Sequence, residues 1–115
     1  MLNQTFIIID KFRRQWGRFT VQNVAQSPFG GETTSGYLEP FPSFKDVRGI
    51  FLRHEKSVAD GIDDDVWKEI VDLQAYLLEE NTNKIYYIDD VIFIGENFLV
   101  TCKIGNESLS GDKLN

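Results

Sequence analysis

Cysteine is almost missing from this chain. Cys102 is the only one, so no disulfide can form within the chain, whereas a small secreted domain more often carries several. A reducing compartment is expected, and Cys102, set in an apolar strand pattern, reads as a small buried hydrophobe rather than a nucleophile. Long apolar runs are missing too. Phe6-Ile7-Ile8-Ile9 and Val91-Ile92-Phe93-Ile94 are four residues each, against the roughly 20 that a membrane-spanning helix needs. No positive charge precedes the first run and Asp10 ends it, so no export signal is read. The expectation is a cytoplasmic protein without membrane contact.

Positive charge is in short supply. Twelve Lys and Arg face 18 Asp and Glu, a formal net charge of -6, which repels phosphate backbones and argues against general nucleic-acid binding. The balance is uneven along the chain. Lys11, Arg13, Arg14 and Arg18 cluster early, while Asp63, Asp64, Asp65, Glu69, Asp72, Glu79, Glu80, Asp89, Asp90 and Glu96 crowd the later half. A basic protein partner is favoured by that asymmetry.

What the chain does have is aromatic bulk. Nine Phe, four Tyr and two Trp in 115 residues, with 42% apolar content, suit one folded core and oppose disorder. Thr5 to Phe12 reads as a mostly buried strand, residues 13–17 as a turn, and Arg18 to Ala25 alternates in strand fashion, giving an N-terminal hairpin. From Gln26 to Pro42 the breakers Pro28, Gly30, Gly31, Gly36, Pro40 and Pro42 predict a long loop, with Phe29, Tyr37, Leu38 and Phe41 as apolar anchors. Ser43 is placed to cap a helix, and Phe44, Val47, Phe51, His54 and Val58 recur at helical spacing up to Gly61. Asp63 or Asp64 can cap a second helix running to about Leu73, followed by a strand, although 73–80 could also prolong the helix. A turn at 81–84 leads to a strand at 85–88, and Val91 to Ile94 pairs with Phe98 to Ile104 around Gly95-Glu96-Asn97. The polar tail 106–115 is expected to fray, leaving one domain over 1–105. The fold class these elements predict is α+β, with two central helices packed on one face of a mainly antiparallel sheet.

No motif commits the chain to catalysis. His54 lies in an apolar helical stripe without a partner to orient it, so no catalytic residue is assigned. Asp60 to Asp65 with Glu69 lacks the ligand spacing of a calcium loop, and no metal or cofactor is expected. Asp89-Asp90 beside Glu79 and Glu80 reads as turn chemistry rather than paired catalytic acids. Lys11 to Arg18 interleaves cations with aromatics, a pattern suited to single-stranded nucleic acid, but a solvated turn fits the negative chain better.

The leading expectation is therefore a non-enzymatic module whose acidic residues Asp63, Asp64, Asp65, Glu69, Asp72, Glu79, Glu80, Asp89 and Asp90 engage a basic protein. By size and charge alone it is comparable to small acidic inhibitors of basic toxins, such as bacterial immunity proteins. A second expectation is a small-molecule-binding or hydrolytic domain with a pocket under the 26–42 loop, contacted by Phe29, Tyr37, Phe41 or His54, with Glu55 a further polar candidate. A third is a homodimer built on an edge strand or the loop aromatics.

Overall fold

The structure, a computed structural model, describes residues 2–26, 32–61, 65–94 and 98–110, with residues 90, 92–94 and 105–110 described in their backbone only. Six strands, β1 (Thr5–Ile9), β2 (Gln15–Gln26), β3 (Glu32–Pro40), β4 (Tyr76–Glu79), β5 (Lys84–Ile94) and β6 (Leu99–Ser110), form the sheet. Helices α1 (Lys45–Ala59) and α2 (Val66–Asp72) lie between β3 and β4. All pairings are antiparallel, and the order β1-β2-β3-β6-β5-β4 closes on itself through β4 and β1.

A closed barrel replaces the expected α+β layering, and β3 is the reason. The segment read as a long loop is largely a strand that pairs with β2 on one side and β6 on the other, joining the two halves of the chain. Its inward positions are Thr34, Gly36 and Leu38, all buried, so the period of two is present, but only Leu38 of the three is a large apolar residue. Small barrels alternate small and large interior side chains in this way. Gly36 is required by close approach, because a Cβ there would overlap the Thr20 carbonyl.

Inside, Phe6, Ile8, Phe19, Val21, Leu77, Val100 and Cys102 form one apolar cluster with Phe44, Val47 and Phe51 from the α1 region and Ile70 and Leu73 from the α2 region. Cys102 is fully buried. The helices thus close one mouth of the barrel, and Trp16 is the hinge of that contact, with Phe44 at 6.3 Å and Phe51 at 5.5 Å between ring centroids. Ser43 does not cap α1. A 3-10 turn over Pro42–Phe44 leads into the helix, and the Ser43 hydroxyl instead donates to the Gln15 carbonyl at 2.7 Å. The apolar stripe of α1 fades toward its end, where Ser57 is buried and Val58 exposed.

The second helix stops at Asp72 and a strand follows at Tyr76, which settles the ambiguity over 73–80 in favour of the strand. Asp65 precedes α2 in a left-handed conformation and makes no capping hydrogen bond. Asp63 and Asp64 lie outside the described residues. The pairing of β6 with β5 continues to Ser110. Among the described residues no helix is long and apolar enough to cross a membrane.

The β1–β2 turn is built on a buried acid. Asp10 is 1% exposed, and its carboxylate accepts from the Phe12 amide (2.9 Å), the Arg14 amide (3.2 Å), Arg14 Nε (2.8 Å) and Trp16 Nε1 (3.0 Å). Burying a carboxylate is costly unless its lone pairs are filled, and here four donors fill them. Asp10→Ala is expected to cost about 3–5 kcal/mol, since it strands a guanidinium and an indole N–H. Asp10→Asn, which keeps one acceptor oxygen, should cost roughly 1–3 kcal/mol. Urea denaturation measures both, and a loss under about 1 kcal/mol for the alanine variant would show that the turn holds without the carboxylate.

Thr34 gives a prediction of opposite sign. Its hydroxyl is buried and has no hydrogen-bond partner among the described groups. Thr34→Val keeps the branched shape and removes the stranded group, so a gain of about 1 kcal/mol is expected in the same assay.

Candidate functional site

The acidic residues expected to form one binding face are distributed over several elements, and most are engaged locally. Asp65 pairs with Lys68 (3.5 Å), Glu69 with Arg53 (3.1 Å), Asp72 with Lys11 (2.9 Å) and Glu80 with Arg18 (3.3 Å). Glu79 accepts from Gln4 Nε2 (3.3 Å) and Thr82 Oγ1 (2.9 Å). Asp63 and Asp64 are outside the described residues, as is the side chain of Asp90. Among the described residues no group of three or more His, Cys, Asp and Glu is placed to hold a metal ion.

The residues expected around a pocket separate as well. Phe29 lies outside the described residues. Tyr37 projects from β3 and is exposed, and His54 is half-buried on α1. Phe41 sits under the Arg18 guanidinium at 5.7 Å and lines a shallow groove of about 350 Å³ with Pro40, Pro42, Phe44 and Phe98. Of the segment expected to roof that pocket, residues 32–40 form a strand of the barrel wall, and residues 27–31 lie outside the described residues.

A larger cleft, about 570 Å³, opens where β4 begins. It is lined by Lys11 and Arg13 of the β1–β2 turn, by Val71, Gln74 and Ala75 at the end of α2, and by Tyr76, Tyr87, Ile88 and Asp89 of β4 and β5. Three backbone hydrogen bonds hold its walls together. The Arg13 amide donates to the Asp10 carbonyl (2.9 Å), the Lys11 amide to the Leu73 carbonyl (2.8 Å) and the Ile88 amide to the Ala75 carbonyl (3.3 Å). Tyr76 and Tyr87 are directly opposed in the β4–β5 ladder, which sets their rings on one face.

Some of the fold's backbone irregularities fall at this cleft. Arg13 (φ 63°) and Gln74 (φ 50°) both adopt left-handed conformations, which are uncommon for such side chains and concentrate at sites of function. In the ladder with β6, the register of β5 shifts between Tyr86 and Ile88 and again between Ile88 and Asp90, so Tyr87 and Asp89 sit at bulges that re-aim side chains.

The charges of the cleft differ in how they are held. Lys11 is tied to Asp72 and lies over the Phe12 ring, with Arg14 against the same ring. Arg13 and Asp89 have no ion pair or hydrogen bond through their side chains among the described residues, and they are not within 4.0 Å of each other. The Tyr76 hydroxyl is pushed above its ordinary pKa, chiefly by burial, with the Arg13 charge opposing and Tyr87 and Asp10 adding to the rise. At neutral pH it is therefore a proton donor.

The sequence flags the cations of the Lys11–Arg14 turn and the acid Asp89, but not that they meet. Tyr76 and Tyr87 carry no signal beyond strand propensity, since only the β4–β5 register brings them together.

The two raised tyrosines generate a pH prediction. Tyr76 and Tyr86 both rise above the ordinary value, Tyr86 through burial and then through Glu79 and Glu32. The unfolded chain loses these protons first, so the fold binds more protons above about pH 10. Stability is then full below that pH and falls as pH rises through it. Urea midpoints from about pH 9 to 11 should decline, and Tyr76→Phe should flatten the slope. An unchanged slope in that variant would show that Tyr76 ionises alike in both states.

No protein-family model, curated protein or solved structure matches this chain, and its own geometry is what bears on function.

Proposed function

We propose that the protein is a non-enzymatic small-molecule-binding barrel whose site is the cleft between the β1–β2 turn, the end of α2 and β5, with Arg13 anchoring an anionic group of the ligand. The observation that carries this reading is an Arg guanidinium with no ion pair or hydrogen bond among the described residues, set in a cleft that Lys11 and Tyr76 also line. A planar guanidinium suits carboxylate and phosphate oxygens, which accept two parallel N–H bonds. Val71, Ala75, Ile88 and the tyrosine rings supply the apolar lining that binding sites share.

Binding rather than turnover is favoured because the chain's one imidazole, on His54, and its one thiol, on Cys102, do not line the cleft. The acidic-surface module has weaker support: Asp65, Glu69, Asp72 and Glu80 already face cations of the fold itself.

Titration of the labelled protein with a set of small carboxylates and phosphates, followed by amide shifts in two-dimensional NMR, tests the proposal. Shifts are expected at Val71, Gln74, Tyr76 and Tyr87, and Arg13→Ala should weaken binding about tenfold or more, as loss of a charged hydrogen bond implies. If no compound shifts these amides, or if Arg13→Ala binds as tightly as the parent, the cleft is not the site.

A further inference from the structure

We infer that the ligand of this cleft is a zwitterion of the α-amino-acid type with an apolar or aromatic side chain, its carboxylate on Arg13 and its ammonium on Asp89. This rests on the reading of the cleft as a small-molecule site and adds the ligand's charge pattern.

The observation is a pair of opposite charges that share one cleft without bonding to each other. Asp89 is exposed, lines the same space as Arg13, and carries no hydrogen bond or ion pair among the described residues. Three other carboxylates, by contrast, are bonded to cations: Asp72 to Lys11, Glu80 to Arg18, Glu69 to Arg53. Asp89 lies at the register shift of β5 beyond Ile88, and Arg13 has a left-handed backbone in the β1–β2 turn.

Charge selects among ligand classes. A plain anion that reaches Arg13 also meets the carboxylate of Asp89, and a plain cation that reaches Asp89 meets Arg13 and Lys11. A molecule with both signs satisfies each free group and is repelled by neither, the complementarity that discriminates between partners. The same cleft is lined by Val71, Ala75 and Ile88 and by Tyr76 and Tyr87, opposed in the β4–β5 ladder, a surface suited to an apolar or aromatic side chain.

Three probes differing by one charged group test this: phenylalanine, 3-phenylpropionate, which lacks the ammonium, and phenethylamine, which lacks the carboxylate. By NMR titration, phenylalanine is expected to bind about tenfold or more tightly than either, the discrimination that one charged contact provides. Asp89→Asn should erase the preference over 3-phenylpropionate, and Arg13→Gln the preference over phenethylamine. Both positions are exposed, and retained amide spectra verify that each variant folds. If 3-phenylpropionate matches phenylalanine in the parent protein, or if Asp89→Asn leaves the preference intact, the zwitterion assignment falls while the anion site stands. If none of the three shifts the cleft but other carboxylates or phosphates do, the assignment falls alone. If no compound of any kind shifts it, the assignment falls together with the site.

Discussion

The buried carboxylate of Asp10 connects parts of the molecule that have little else in common. On its inner side it holds the Trp16 indole, whose ring packs against Phe44 and Phe51 and so seats α1 on the barrel mouth. On its outer side it accepts the amides of the turn and the Arg14 guanidinium. The turn that results is tight enough to place Arg13 in the left-handed region, with its amide bonded to the Asp10 carbonyl. One acid thus bonds both to the indole that packs against α1 and to the turn that carries Arg13. A buried ion of this kind specifies a geometry more than it adds stability, because its desolvation cost offsets much of its attraction.

Closure of the sheet is the second constraint. The chain forms two three-stranded meanders, β1-β2-β3 and β4-β5-β6, separated by the helices, and β3 to β6 and β1 to β4 are the seams. The seams differ in length. β4 is four residues and ends its pairing with β5 at Tyr76 opposite Tyr87, while β5 runs on to Ile94. The wall is therefore incomplete at the start of β4. Helix α2 and residues 73–75 fill the gap, and the cleft is the part of it they leave open.

Much of this was legible in the amino-acid order, and the failures have a common cause. The second strand of the N-terminal hairpin follows from period-two alternation, as at Phe19 and Val21, and the C-terminal hairpin from two apolar runs flanking Gly95-Glu96-Asn97, whereas the apolar period around Leu73 leaves the end of α2 open between helix and strand. The strand β3 escaped because, of its inward residues Thr34, Gly36 and Leu38, only the last is a large apolar side chain, and Gly36 must lack a side chain where β2 comes close. A glycine that signals a turn in isolation here marks close packing of strands. Without β3 the sheet has two halves and no means of closing, so an error over nine residues changed the fold class. The site was less legible still. Its members come from turn, helix end and two strands, and no local pattern records that residues 13, 76 and 89 share a cleft.

Net charge proved a poor guide to that cleft, for a physical reason. A formal charge of -6 describes the field at a distance, but exposed charges are screened beyond roughly 8 Å at physiological ionic strength. What a ligand meets is the set of groups within that range. Several carboxylates of the acid-rich second half are drawn into contacts with Lys11, Arg18, Arg53 and Lys68. Such exposed pairs add little stability, but they decide which charges remain available. Asp72 takes Lys11 and Asp10 takes Arg14, so among the described residues Arg13 is the one cation of this turn whose side chain has no ion pair or hydrogen bond, and it is the one whose charge the cleft presents unpaired.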